Sequence, residues 1–419
     1  MDISLTHPRF SDRIQAPTSK SAAHRALIAA AFADAPTALT LSGAGEDIAA
    51  TLRCLTALGV GVDSTPVGHE QQLTVTPLQA APAAIVADCG ESGSTLRFFV
   101  PILAALGTSA KLMRRGRLAA RPMSPLTELL ADVGVTLTDN EDGSLSVSGR
   151  LPAGDYRIAA NVSSQFITGL LFALSLLDAP STLTLVGEVE SAPYIEMTLA
   201  TLSAFGAAPR REGAVFSLPG RRVAPLRSPG RLLPEGDFSG AAFPLAAGAL
   251  GTAPVTVENL DLSSTQGDRA ILSLLERFGA QLTADPAAGR VTVAPAPLHG
   301  IDIDARQIPD LVPVLAVVAA AAKGVTRITG AARLRIKESD RIATTAALLR
   351  ALGGKVTEEE DGLTVYGGTP LQGGTVDGAG DHRIVMSAAV AALLTDGTVT
   401  IHGAEAVAKS YPHFFDEII

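Results

Sequence analysis

The feature that most constrains this chain is a repeat with a period of about 73 residues. Five segments, LTALGVGV, LADVGVTL, LSAFGAAP, LERFGAQL and LRALGGKV, pass from an amphipathic stretch through a glycine into a strand-like run. Their glycines, Gly59, Gly134, Gly206, Gly279 and Gly353, stand 75, 72, 73 and 74 residues apart. Glycine adopts left-handed backbone at little cost and commonly ends a helix that way. The spacing therefore predicts repeated αβ units. A second helix type keeps the same rhythm, in SKSAAHRALIAAAF, GSTLRFFVPILAAL, SSQFITGLLFALSLL, DFSGAAFPLAAGAL, IPDLVPVLAVVAAA and DHRIVMSAAVAALL. Marked by Ser21, Ser94, Ser164, Ser239, Asp310 and His382, its copies recur at 73, 70, 75, 71 and 72 residues. These stretches are apolar nearly all round, as expected of helices buried on every side.

The buried helix occurs six times and the glycine-capped one clearly five. The sixth capped helix is expected at the terminal SYPHFFDEII, and the opening DISLTHPRF is the strand that completes the last unit. Both chain ends then share one domain. A chain of 419 residues, 47% of them hydrophobic, can bury two cores. The expected division is 1–18 plus 235–419 as a discontinuous domain, with 19–234 inserted. Arg211 to Gly236, rich in Pro, Gly and Arg, reads as a surface hairpin running into the crossing.

A formal charge of -9 argues against a nucleic-acid or anionic-membrane partner. Any bound anion must meet a local basic cluster. Cys54 and Cys89, in no metal-binding spacing, read as core thiols in a reducing compartment. The first residues lack a basic start followed by an apolar run, and the longest apolar run, Leu311 to Ala322, suits a buried helix better than a membrane span. The expected location is the cytoplasm.

Polar residues gather where the six buried helices begin. Helix N-termini present free N–H groups and partial positive charge, so several facing one cleft form an anion trap. Ser239 and Thr95 are equally well read as simple caps. Lys20, Arg25, Arg97, Gln165, His382 and Arg383 are not, because cations are disfavoured there unless an anion lies between them and the dipole. Two other basic stretches stand apart. In KLMRRGRLAARP most cations fit a solvated loop, but Arg121 is fixed by Pro122 just before a helix. In RLRIKESDRIATTAALLRALG a strand is expected to end at Ile336 and a helix to open at Ser339 or Asp340, crowding Lys337, Glu338 and Arg341 into one turn. Locally, Glu338 and Arg341 fit an ordinary surface pair worth about 0.3 to 0.5 kcal/mol. GESGSTLR lacks the spacing and the lysine of a nucleotide-hydrolysing loop. No HExxH, paired CxxC or GxSxG motif occurs, so neither a metal centre nor an acyl-transfer serine is expected.

Ten short motifs in order, SKSAAHR, GESGSTLR, ARP, SSQ, SAPYIE, EGDFSG, IPD, KESDR, DHR and AKSYPHFF, run the length of the chain. In these the sequence resembles the enolpyruvyl transferases, and within them the 5-enolpyruvylshikimate-3-phosphate synthase family. The resemblance implies an α/β fold of two similar domains, each of three βαβαββ units with buried parallel helices, an inverse α/β barrel with the active site in the cleft between domains. It implies transfer of the enolpyruvyl group of phosphoenolpyruvate to the 5-hydroxyl of 3-phosphoshikimate by addition and elimination, releasing phosphate on the route to chorismate and the aromatic amino acids. It implies small-molecule partners alone, a monomer, and no metal or organic cofactor.

Carried over by position, the resemblance makes Lys20, Ser21, Arg25, Ser163, Ser164, Gln165, Ser191, Tyr194, Asp310, Arg333 and Lys337 ligands of 3-phosphoshikimate. Lys20, Gly93, Arg97, Arg121, Gln165, Arg341, His382, Arg383 and Lys409 would bind phosphoenolpyruvate. Asp310 would take the hydroxyl proton. Glu338, protonated when it acts and helped by Lys20, would serve the C3 methylene, and His382 would orient its neighbours. Gly93 matches the small residue associated in the family with sensitivity to glyphosate, which resembles phosphoenolpyruvate. Two positions depart from the pattern: Glu91 stands where many members have Asn, and Arg333 where some offer an amide. The sister transferase acting on UDP-N-acetylglucosamine usually carries a cysteine on the loop matching Lys111 to Pro122, which has none here. A non-catalytic binder of phosphorylated metabolites is the alternative of another class.

Overall fold

The computed structural model describes residues 1–207 and 209–418. Eleven α-helices occur among the described residues: α1 (Lys20–Ala31), α2 (Glu46–Leu58), α3 (Gly93–Leu106), α4 (Leu126–Ala131), α5 (Ser164–Ser175), α6 (Ala192–Ala204), α7 (Phe238–Leu250), α8 (Ile271–Phe278), α9 (Val312–Ala321), α10 (Arg341–Ala351) and α11 (His382–Ala391). The odd-numbered helices are the apolar ones and are buried along most of their length. The even-numbered helices bury only part of their residues, and each is followed by its glycine: Gly59, Gly134, Gly206, Gly279 and Gly353 have φ of 99°, 82°, 81°, 110° and 79°. A side chain at any of these would be strained, which accounts for the period seen in the sequence.

The second repeat shows the unit plainly. Strand Ala84–Asp88 leads through α3 to the parallel strand Ser109–Met113. The chain then passes through α4 to the antiparallel hairpin of Thr136–Asp139 and Leu145–Ser148. The third and fifth repeats have the same order, each closing a four-stranded sheet. The first and fourth take their leading strand from elsewhere in the chain. Arg231–Leu232 runs parallel to Thr37–Ser42, and Arg13–Gln15 runs parallel to Val255–Glu258. In the sixth, Gly374–Asp377 pairs with Val399–His402, and Asp2–Leu5 adds antiparallel to form a three-stranded sheet.

Two expectations need correction. The terminal SYPHFFDEII forms no α-helix among the described residues. Two 3-10 turns, Ala404–Lys409 and Phe414–Glu417, take that place, because Pro412 cannot continue a helix and Phe414 packs into the core instead. Nor does a strand end at Ile336: the strand Gly324–Thr329 stops earlier, and Ala332–Ile336 is a 3-10 turn. Asp340 opens α10 as its N-cap.

The chain divides into two compact units, Met1–Ser19 with Glu235–Ile419, and Lys20–Pro234. Each surrounds its own apolar core, built from α7, α9 and α11 in the first and from α1, α3 and α5 in the second.

Candidate active site

In the unit Lys20–Pro234 the functional side chains are set by helix starts. Ser92 caps α3 by accepting from Thr95 N, and Ser163 caps α5 by accepting from Gln165 N. Gly169 brings α5 against α3, since a Cβ there would sit 2.5 Å from the Arg97 carbonyl oxygen. That approach lets Gln165 bridge the two helices. Its Nε2 donates to Ser94 Oγ at 3.0 Å, and its Oε1 accepts from Arg97 Nη1 at 2.7 Å. Arg97 also donates to the Pro122 carbonyl at 2.8 Å and lies over the Phe166 ring, so it ties α3, α5 and the Arg121 loop together. Buried Arg121 leans against Gly93, where a Cβ would lie 2.6 Å from its Nη1. Glu91, the acidic departure, is folded over Gly116, leaving no room for a Cβ there.

Lys20 opens α1 with its Nζ 2.8 Å from Asp47 Oδ2, in the first turn of α2. One turn on, Arg25 is buried and donates to the Ser21 carbonyl, Thr198 Oγ1, the Tyr194 carbonyl and Thr168 Oγ1, at 2.7, 2.9, 2.8 and 3.1 Å. None of these is charged, and burial lowers its pKa to about 10. A desolvated guanidinium held only by neutral oxygens favours an anionic ligand. Ser164 is buried at the start of α5. Ser191 stands at the N-cap position of α6 in left-handed backbone, φ 55°, a strained state for serine that its sequence gave no sign of, and its side chain makes no capping hydrogen bond.

The unit containing both termini holds the carboxylates. Arg341 Nη1 donates to Asp310 Oδ1, its Nη2 to Glu338 Oε2 and its Nε to Asp381 Oδ2, each at 2.7 Å. Glu338 and Arg341 are thus no surface pair: the Arg341 side chain is 2% exposed. Arg383 Nη2 stands 3.1 Å from Asp310 Oδ2. Burial opposes ionisation of Asp310, but Arg383, Lys337 and Arg341 outweigh it and hold the carboxyl well below the usual range. Burial lowers Lys337 to about 8, against the pull of Asp310 and Glu338. Lys409 donates to the Gly380 carbonyl at 2.6 Å, beside the Asp381 cap of α11. His382 is buried, its Nδ1 3.9 Å from Asp381 Oδ1. Arg333 Nη2 donates to the Arg306 carbonyl at 2.9 Å.

Asp47 and Asp381, the partners of Lys20 and Arg341, are not among the site residues expected from the sequence. A buried chain from His24 through Thr51 and Thr95 to Ser92, joining α1, α2 and α3, was also missed. Burial, with Lys20 and Arg25 nearby, keeps His24 well below the usual histidine range. Among the described residues no group of three His, Cys, Asp or Glu side chains is placed to hold a metal ion, and no helix is long and apolar enough to cross a membrane.

The model of the EPSP synthase family, 3-phosphoshikimate 1-carboxyvinyltransferase, matches residues 6–418. This chain belongs to the EPSP synthase family. A 3-phosphoshikimate 1-carboxyvinyltransferase of Halobacterium salinarum is 39% identical over 99% of this chain and 97% of its own. One from Clostridium novyi is 35% identical over 99% of this chain and 96% of its own. Among solved structures, EPSP synthase of Acinetobacter baumannii superposes with a TM-score of 0.80 at 29% identity, covering 99% of this chain and 97% of that one. The two-domain α/β architecture of the enolpyruvyl transferases is therefore that of this chain.

Proposed function

We propose that Asp310 and Glu338 carry the proton transfers of the family reaction, in which the enolpyruvyl group of phosphoenolpyruvate passes to 3-phosphoshikimate. That reaction belongs to the shikimate pathway and leads to the aromatic amino acids. The observation that carries the assignment is the cation set around Asp310. With Arg341, Arg383 and Lys337 beside it, the carboxylate is ionised but weakly basic. An anionic substrate bound to Arg341 and Arg383 offsets those cations and raises the basicity of Asp310 as the hydroxyl arrives. The same anion draws Arg341 from Glu338 and favours the protonated acid.

In this reading Arg121, Arg341, Arg383 and Lys409 hold the phosphate and carboxylate of phosphoenolpyruvate, with Gly93 leaving room at the start of α3. Arg97 and His382 act on that ligand through their neighbours. Arg25, Ser21, Ser163, Ser164, Gln165, Ser191 and Tyr194 serve 3-phosphoshikimate, with Lys337 and Arg333. The 5-hydroxyl adds to C2 as its proton passes to Asp310, while C3 takes a proton from Glu338 with Lys20 alongside. The tetrahedral adduct then returns a C3 proton to Glu338 as the bond between C2 and the phosphate oxygen breaks, and the departing phosphate carries away the proton that Asp310 had taken. The chain works as a cytoplasmic monomer, a reading whose compartment is supported by the free thiols Cys54 and Cys89.

One assay tests the whole reading. Phosphate release from phosphoenolpyruvate is expected only when 3-phosphoshikimate is present. Release without it, or with UDP-N-acetylglucosamine in its place, contradicts the reading.

A further inference from the structure

Asp268 lies in the 3-10 turn Gly267–Ala270, is 2% exposed, and plays no part in the reaction as drawn above. Its neighbour Gln266 pins this turn to the start of α7, accepting from Phe238 N at 3.1 Å and donating to the Gly236 carbonyl at 2.8 Å. Asp268 Oδ2 is thereby held in a hydrogen bond with Ser239 Oγ, while Oδ1 is buried with no hydrogen-bond partner. An ionised carboxylate with one oxygen buried and unpartnered is costly. If the proton sits on Oδ2 and is donated to Ser239 Oγ, Oδ1 becomes a neutral carbonyl oxygen and the cost falls. The hydroxyl hydrogen of half-exposed Ser239 is then released from Asp268.

We propose that Asp268 is a positioning residue that, in its protonated form, donates to Ser239 and leaves the Ser239 hydroxyl free to donate to the anionic substrate held by Arg383. Once Asp268 ionises, Ser239 donates to it instead and is lost to the ligand. The charged groups facing Asp268 are Asp310 and Arg383, with Asp237 at the cap of α7; Arg269 on its own turn donates away, to the Leu262 carbonyl. Burial first, then Asp310, push the Asp268 carboxyl up to about 7, against Arg383 and Ser239. The change of partner therefore falls in the neutral range.

The proposal rests on Arg383 holding phosphoenolpyruvate, so the experiment tests both. KM for phosphoenolpyruvate is measured from pH 6 to 8.5 in the wild type and in Asp268→Asn, Ser239→Ala and Arg383→Gln. Loss of one hydrogen bond to a charged group predicts a rise of about tenfold across this range in the wild type. Asp268→Asn, whose amide donates to Ser239 at every pH, should abolish the rise. Ser239→Ala should show the high value already at pH 6, with a flat profile. A wild-type profile in Asp268→Asn, or a wild-type KM at pH 6 in Ser239→Ala, overturns the proposal while an Arg383→Gln defect leaves the site assignment standing. An unchanged KM in Arg383→Gln overturns both. Should Asp268→Asn not fold, infrared spectra of the wild type decide: a protonated-carboxyl band at pH 6 that moves in Ser239→Ala supports the proposal, and its absence overturns it.

Discussion

Arg341 Nε donates to Asp381 Oδ2 at 2.7 Å, and the two side chains are 2% and 0% exposed. Asp381 also caps α11 through Arg383 N and accepts from Ser339 Oγ, so one carboxylate orients Arg341 and the start of the helix that carries Arg383. In the sequence Asp381 shows only as the first residue of the DHR motif. Its second task follows from the turn Lys337–Asp340, which folds Arg341 back toward α11.

Removing Asp381 should therefore cost more than an ordinary cap. Asp381→Ala leaves a buried guanidinium without its innermost partner, and breaking such a pair typically costs about 3 to 5 kcal/mol. Urea denaturation should show a loss of that order. A loss of about 1 kcal/mol, the usual effect of a missing cap, would mean that Arg341 finds its support in Asp310 and Glu338 alone.

Proton transfer and binding should separate at Asp310 and Glu338. Asp310→Asn or Glu338→Gln keeps the shape of each side chain but removes its ability to exchange a proton. Turnover is expected to fall by roughly 10² to 10⁴. Calorimetric affinity for 3-phosphoshikimate should change far less. If neither variant loses turnover, the assignment of both residues is wrong.

At Gly93 the prediction is steric. A Cβ would lie 2.6 Å from Arg121 Nη1, so Gly93→Ala must displace the guanidinium. Losing one charge-assisted contact predicts a rise in KM for phosphoenolpyruvate on the order of tenfold. The inhibition constant of glyphosate should rise in the same direction, with KM for 3-phosphoshikimate little changed. A variant with an unaltered KM for phosphoenolpyruvate would show that Arg121 does not hold that ligand.

The repeat was legible because its cause is local: a glycine beyond each amphipathic helix needs only its own φ. The basic helix starts were legible because Lys20, Arg25 and Arg383 break an electrostatic preference. What escaped notice depends on contacts between elements far apart in the chain. Nothing near Asp47 indicates that it will meet Lys20, and nothing near Asp268 that the Gln266 turn will bring it to Ser239. The terminal segment misled for a related reason: its apolar residues suggested a helix, whereas they pack singly around Phe414, with Tyr411 and Phe415 against its ring.

Lys337 gives a pH dependence whose sign is fixed by its environment. Burial lowers its pKa from 10.5 to about 8, so between those values the unfolded chain binds a proton that the folded one has released. Stability should rise with pH across that window. Function should move the other way if Lys337 serves 3-phosphoshikimate as proposed, because its charge is lost above pH about 8. KM for 3-phosphoshikimate is therefore expected to climb above pH about 8 in the wild type, and Lys337→Arg, which stays charged, should flatten the climb. The effect is distinguishable from that of Asp268, which concerns phosphoenolpyruvate and sets in about one pH unit lower. An alkaline limb that survives in Lys337→Arg would assign the loss to another group and remove Lys337 from the ligand set.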